Sequence, residues 1–413
     1  MPQFRPFPAL RYDDDIDLNA VLAPPYDVLS DADVRQLHQR DPHNITHVDV
    51  PEDQDYDRAA ATLWRWVEEG VLTADSDDTL SIYRMGFTDA TGTPRQIVGV
   101  LGGLQVVDEP SAAGSAEPAE GSVGAARRTT VLPHERITPK AATDRLDLTR
   151  ATATNLSPVW GLSLASGLTE ALREPGAPHG QVTWDGVTHA VERITDPARI
   201  EAIQAILAAD DVLLADGHHR YAISRIYRDE VRAATGRYDT RAEQTLAFVN
   251  ELIEDQLSIE AIHRLYSAVS REALQAGLTR YFDVEPLESV TPATLSQMVE
   301  LGRLVVVCPT GPAQWLIPKP GVFDGVRALD GVWLETALAG VDAETSYQHG
   351  LSETLKLVAA GGFTAAVLIR PTSIEEIRRT AREGVLMPPK STFFTPKLLT
   401  GWVLRPTEPL PGA

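Results

Sequence analysis

Apolar and polar positions along the chain fall into two rhythms, one of helices and one of strands. SDADVRQLHQRD, residues 30–41, reads as a helix, and Ser30 with Asp33 has the spacing of a capping box. Residues 55–71 predict a second helix with Leu63, Trp64 and Val67 on its inner face. TLSIYRMGFTD and RQIVGVLGGLQVV read as strands, and ATGTP between them is a hairpin signal. Strands near 158–165, 180–184 and 187–194 alternate with helices at 167–173 and 196–209. DVLLA predicts a buried strand, and a helix follows it to about residue 234. Farther on, RLVVVCP, AAVLIRP and TGWVLRP are the strand candidates. No fixed-period repeat is visible, so a mixed α/β fold in more than one domain is expected.

One stretch breaks both rhythms. Residues 108–128, DEPSAAGSAEPAEGSVGAARR, have no aromatic residue and no apolar period, and read as a mobile surface insertion, with a catalytic lid as the alternative. Composition then limits the classes of function. A chain of 413 residues with 43% hydrophobic positions can build two or three domains with a substantial core. A net charge of −21 argues against a nucleic-acid surface, although a local basic pocket is still compatible with it. The single cysteine, Cys308, excludes an internal disulfide and a cysteine-based zinc site, and its apolar neighbours predict a core thiol. MPQFRPFPALRYDDD lacks the pattern of a signal peptide, and no run of about 18 apolar residues occurs. A cytoplasmic protein without nucleic-acid or membrane partners is the expectation.

The densest chemistry lies at LLADGHHRYA, residues 213–222. A buried strand, a turn glycine and a helix start together make an anion site, because the first helical N–H groups lack partners and the dipole adds positive charge there. Gly217 lets backbone approach an oxyanion closely, Asp216 is placed to cap the helix, and Arg220 offers a planar fork for two phosphate oxygens. His218 and His219 can donate to phosphate when suitably protonated. Adjacent helical residues point about 100° apart, so the two histidines are poorly placed to share one metal ion. A purely structural role, in which Asp216 caps and the histidines bond within the fold, stays open.

Four other stretches carry polar clusters. LAPPYDVLS presents Tyr26 and Asp27 on a stiff Pro-Pro turn, which could equally just start a helix. HNITHVDVP offers Asn44, His47 and Asp49 on what reads as a short strand, whose alternation equally fits a simple exposed edge. VLPHERITPKAATDRLDL sets His134 and Glu135 between prolines, with Lys140, Asp144 and Arg145 following; a loop carboxylate beside an imidazole is a candidate general base or simply a solvated loop. MPPKSTFFTPKLLTG combines Lys390, Ser391, Thr392 and Lys397 in a stiff loop suited to an anionic group, with Phe393 and Phe394 to anchor it or stack on a base.

These stretches, in this order from residue 22 to residue 397, resemble the bacterial and archaeal family catalogued as domain of unknown function 1015. DGHHRYA also resembles the phosphate-binding signature of the ParB and sulfiredoxin superfamily, which includes CTP-using partition proteins, ATP-using sulfiredoxins and free-serine kinases using ADP or ATP. That second resemblance implies a nucleotide-binding core in which Gly217, His218, His219 and Arg220 contact phosphates and Asp216 positions them. His218 stands where sulfiredoxin needs cysteine, and the acidic balance does not support partition-type DNA binding. The implied fold is mixed α+β: an N-terminal region 1–107, the insertion 108–128, a ParB/sulfiredoxin-like region 129–265 and a C-terminal region 266–413. The implied activity is phosphoryl transfer from ADP or ATP with Mg²⁺ to a small hydroxyl-bearing metabolite such as serine. Glu135, beside His134, is then the expected base and Asp27 the second choice, with Tyr26, Lys390, Ser391, Thr392 and Lys397 on the acceptor side. A nucleotide-responsive regulator without turnover and a phosphate-ester hydrolase are the alternatives.

Overall fold

Nine strands form the larger of two main sheets. They are β1 (Phe4–Arg5), β2 (Leu80–Thr88), β3 (Pro94–Gln105), β4 (Val131–Pro133), β5 (Val159–Ser163), β6 (Ala177–Trp184), β7 (Val187–Ile194), β8 (Val212–Asp216) and β9 (Gln244–Glu251). The computed structural model describes residues 2–89, 92–108, 130–133, 142–383, 387–388 and 390–409. His134, Glu135, Lys140 and the insertion from residue 109 onward lie outside them.

The spatial order is β4-β8-β5-β9-β3-β2-β7-β6, with β1 beside β3. The expected hairpin is present as the antiparallel pair β2–β3, in which Tyr83 faces Gly99. Most neighbours are antiparallel, whereas β4–β8 and β5–β9 run parallel. Strands from residues 4–105 and 131–251 therefore share one hydrogen-bonded layer, which crosses the limits expected at 107 and 129.

Alternation in β3 shows why this layer is buried on both sides. Ile97 and Leu101 join Tyr83, Met85, Trp160 and Phe248 on one face, while Val98, Val100 and Leu104 join Leu80, Ile82 and Val249 on the other. A strand covered on both faces must be apolar throughout, which is what RQIVGVLGGLQVV shows. Gly99 sits where a Cβ would come within 2.4 Å of the Phe248 ring, so only glycine fits.

Helices cover both faces. α1 (Asp31–Arg40) begins with the expected capping box: Ser30 Oγ accepts from the Asp33 N–H and the Asp33 carboxylate accepts from the Ser30 N–H at 2.9 Å. HNITHVDVP forms not a strand but the short helix α2 (Thr46–Asp49), because the Asn44 side chain accepts from the Thr46 N–H and starts a turn. α3 (Tyr56–Glu68) buries Ala59, Leu63 and Trp66; Trp64 and Val67, expected on its inner face, pack only at the margin. α4 (Ala142–Thr152) packs beside α3, and α5 (Pro197–Leu207) covers the opposite face of the sheet with Ile200, Ile203 and Leu207.

The C-terminal part has its own antiparallel sheet. Its strands are β10 (Ile262–Ser267), β11 (Phe282–Leu287), β12 (Leu304–Val307), β13 (Ala313–Pro318), β14 (Glu344–His349) and β15 (Ala365–Leu368), ordered β11-β13-β12-β15-β10-β14. RLVVVCP and AAVLIRP supply β12 and β15, whereas only Arg405 and Pro406 of TGWVLRP pair as a strand. Cys308, just past β12, is half-buried against this sheet's core rather than enclosed in it, and burial pushes its thiol pKa up. The fold is mixed α+β. Among the described residues no helix is long and apolar enough to cross a membrane.

Candidate functional site

The eighth strand ends at the motif that the sequence singled out. β8 pairs antiparallel with β5, and its register slips between Leu214 and Asp216, so Ala215 is an extra residue at the strand end. A bulge of this kind re-aims the next side chain. Gly217 follows with φ 80° and ψ 27°, left-handed backbone that glycine adopts without strain, and leads directly into α6 (His218–Thr235). Tyr221, Ser224, Tyr227 and Arg228 are buried at helical spacing, which fixes α6 against the sheet, and Gly236 closes it in the left-handed region.

Asp216 was expected to cap this helix. It does not; Gly217 occupies the cap position, with no side-chain cap bond. The Asp216 carboxylate instead pairs with Lys397 Nζ at 3.2 Å and Arg220 Nη2 at 3.4 Å. Burial pushes the Asp216 carboxyl up, but Lys397 and Arg220, with His218 nearby, outweigh it and hold its pKa at about 2. The Arg220 guanidinium also donates to the Pro158 carbonyl. Burial opposes its charge, yet the field of Asp27, Asp216, Tyr26 and Asp49 leaves its pKa raised.

The C-terminal loop brings two lysines here. Phe394 is 1% exposed and packs against Trp160 of β5, with ring centroids 5.8 Å apart, so it anchors the loop in the core. Lys397 passes over the Phe393 ring at 4.4 Å on its way to Asp216, and His349 of β14 stacks on the same ring. Lys390 is exposed, with φ 60°, and its charge together with burial lowers the His219 pKa, while Asp27 opposes the shift. The shift favours the neutral imidazole of His219, which can donate one hydrogen bond and accept another. Ser391 and Thr392 are half-buried in the same loop, and Ser391 Oγ donates to the Pro388 carbonyl.

Beside α6 opens a cleft of ≈ 440 Å³ lined by Tyr26, Asp49, Arg145, Ser157 and Arg220, among others. Arg145 of α4 lies 3.7 Å over the Tyr26 ring and donates to Asp49 Oδ1 at 3.1 Å. Burial raises the Asp49 pKa, with Arg145 and Arg220 opposing and Asp27 and Asp144 adding to the rise. Burial likewise raises Tyr26, against Arg220. Asp27 is exposed, yet close enough to act on Arg220, His219, Asp49 and Tyr26.

Tyr26, Asp27, Asp216, Gly217, His218, His219, Arg220, Lys390 and Lys397 thus share one region, drawn from three distant stretches. His134 and Glu135 lie outside the described residues. Asp49 and Arg145 belong to the same cleft; the sequence placed each in a polar cluster but did not pair them or assign them a role in the site. The signal for pairing was a carboxylate, Asp49, in an otherwise apolar VDVP stretch, now 3% exposed, and a basic residue in the polar run after LPHERITP. Among the described residues no group of three or more His, Cys, Asp or Glu side chains is arranged to hold a metal ion.

Residues 4–332 match the family described as Protein of unknown function (DUF1015). The chain belongs to the DUF1015 family. Among solved structures this DUF1015 chain is similar to a conserved hypothetical protein from Pyrococcus furiosus, at 12% identity and TM-score 0.34, over 64% of this chain and 87% of that one. It is also similar to a free serine kinase in complex with AMP, at 13% identity and TM-score 0.35, over 64% and 83% of the two chains. A third is SbnI with a C-terminal truncation from Staphylococcus aureus, at 16% identity and TM-score 0.35, over 64% and 79%. Overlaps this slight carry no inference about activity. No curated protein matches the DUF1015 chain.

Gly217 offers a direct check of the site's backbone. A Cβ there would lie 3.2 Å from Cζ and Nε of Arg220 and 3.2 Å from the Val159 Cα, on backbone that L-residues avoid. Gly217→Ala is expected to lose about 1–2 kcal/mol of stability, the usual cost of left-handed backbone. Urea unfolding of the two proteins measures it; equal midpoints would mean that the turn relaxes freely.

Proposed function

We propose that this protein binds a nucleoside di- or triphosphate at the start of α6 and transfers a phosphoryl group to a hydroxyl of a small metabolite, an amino-acid-like acceptor such as free serine. One observation carries the reading: Arg220, Lys390 and Lys397 gather with two histidines at the N-terminus of an eighteen-residue helix that opens on a left-handed glycine. N–H groups, dipole and the Arg220 guanidinium then act on the phosphates, with the two lysines beside them. The resemblance of DGHHRYA to the ParB and sulfiredoxin signature supports the same assignment.

The acceptor oxygen attacks the terminal phosphorus, the bond to the bridging oxygen of the leaving phosphate breaks, and the hydroxyl proton passes to a carboxylate. Charge spread over the equatorial oxygens is met by the helix start, Arg220 and a histidine. Glu135 is the proposed proton acceptor and Asp27 the second choice; Lys390 and Lys397, with Tyr26, Ser391 and Thr392, hold the acceptor side. Mg²⁺ in such sites rests on one or two carboxylates and the phosphates themselves. Asp216, locked between two cations, does not fit that duty, whereas the exposed Asp27 does.

Binding without turnover is the second reading. It is favoured by the closed Asp216–Arg220–Lys397 network, which needs no base to hold a phosphate. Calorimetry with ADP and ATP, followed by ³¹P NMR with a panel of hydroxy and amino acids, separates the two. Arg220→Ala should weaken nucleotide binding by about 1.5–3 kcal/mol, the scale of a hydrogen bond to a charged group. Unchanged affinity in that variant would remove the site from the nucleotide.

A further inference from the structure

The larger cavity lies elsewhere, on the C-terminal sheet. It has an empty volume of ≈ 860 Å³, and its walls come from β10, from α7 (Asp330–Ala337), and from the turn that enters α8 (Ile374–Glu383). We propose that this cavity is a second ligand site, for a small carboxylate-bearing metabolite with an apolar body.

Donors dominate its polar wall. Arg264 and Arg370 supply two guanidiniums against the one carboxylate of Asp330 among the described lining residues. Arg264 is 4% exposed and held from behind, its Nη1 donating to the Ile262 and Lys390 carbonyls. Gly331 leaves it room, since a Cβ there would come within 2.9 Å of Arg264 Nη2. Arg370 is fixed over the Trp333 ring at 5.4 Å by a two-pronged pair with Asp330. Trp333 is clamped from the other side by Phe323, stacked at 4.7 Å, and its indole N–H is buried with no partner among the described residues. A buried N–H donor costs stability unless something accepts from it.

The rest of the wall sets the aliphatic Val299, Leu329, Ile369 and Pro371 beside the hydroxyl residues Thr372, Ser373 and Ser391. Val299 is 56% exposed at the margin. A donor-rich end beside an aliphatic wall matches a carboxylate with a hydrocarbon body better than a compact inorganic anion. The cavity has no α6 residue in its described lining but meets the loop proposed for the acceptor side at Ser391, which lines it: Thr372 Oγ1 donates to the Ser391 carbonyl, and Arg264 to that of Lys390.

The test is calorimetry on the full chain with hexanoate, benzoate and inorganic phosphate as probes. The expected result is saturable binding of hexanoate or benzoate at millimolar concentration or below, retained in Arg220→Ala. Trp333→Phe, which keeps a ring and removes the N–H, should weaken it roughly 10-fold or more. Val299→Glu, at an exposed position that leaves folding intact, should weaken it too by placing like charge at the margin. No carboxylate binding, or equal binding in both variants, overturns the proposal. Loss of binding in Arg220→Ala assigns the carboxylate to the start of α6 and also overturns it. Phosphate alone binding, with sensitivity to Trp333→Phe, overturns the ligand class.

Discussion

Asp216→Ala is expected to cost about 2–3 kcal/mol of stability at neutral pH, because it leaves Lys397 and Arg220 facing one another without the charge between them. The figure sits below that of a fully buried pair because all three side chains keep some contact with water. The pH dependence follows from the carboxyl pKa, held at about 2 in the folded protein against roughly 3.9 in an unfolded chain. A depressed carboxyl stabilises the fold fully above its unfolded value, and the contribution disappears as pH falls through its folded value. Wild type should therefore lose this increment between about pH 4 and pH 2, and the variant should lack that part of its acid sensitivity. A bound anion replaces the missing carboxylate, so inorganic phosphate should raise the melting temperature of Asp216→Ala more than that of wild type. Urea midpoints at neutral and acid pH, with and without phosphate, test all three parts. Equal stability at pH 7 would mean that the two cations find other partners at no cost.

The second large effect concerns turnover. In the kinase reading a carboxylate must reach the acceptor hydroxyl, directly or through one water. Glu135→Gln keeps the shape of that side chain and removes its basicity. Nucleotide affinity should stay as in wild type while product formation falls by roughly 10² or more. Asp27→Asn is the companion, since Asp27 acts on Arg220 and His219 from an exposed position. If only Asp27→Asn slows the reaction, with its Mg²⁺ dependence unchanged, the base is Asp27; a raised Mg²⁺ requirement instead assigns Asp27 to the metal. If neither does, proton removal needs no side chain from these two positions, and binding without turnover becomes the better description.

The run from β8 through Gly217 into α6 was legible because each part is local: an apolar strand, a glycine, a helical period. The same holds for the α1 capping box and the β2–β3 hairpin, whose residues lie within one short stretch. What escaped depends on distance along the chain. Asp216 reads as a cap only while Lys397 is out of view; the Ala215 bulge and the loop anchored by Phe394 bring that lysine to it. HNITHVDVP alternates like a strand, but Asn44 turns the backbone and buries Asp49 under Arg145 from α4. Sharing of one sheet by residues 4–105 and 131–251 was hidden for the same reason, since strand partners are chosen by tertiary packing.

That shared sheet sets a timetable for synthesis. β3 carries β2 and β1 along one side, and its other side waits for β9. On a ribosome adding about 5–20 residues per second, the wait is on the order of ten seconds. Throughout it the nascent hairpin presents an open, valine-rich margin to whatever lies nearby, including the hairpins of neighbouring chains on the same message. Slow stretches of translation between β3 and β9 should therefore lower the yield of folded protein, whereas the same delays after β9 should not.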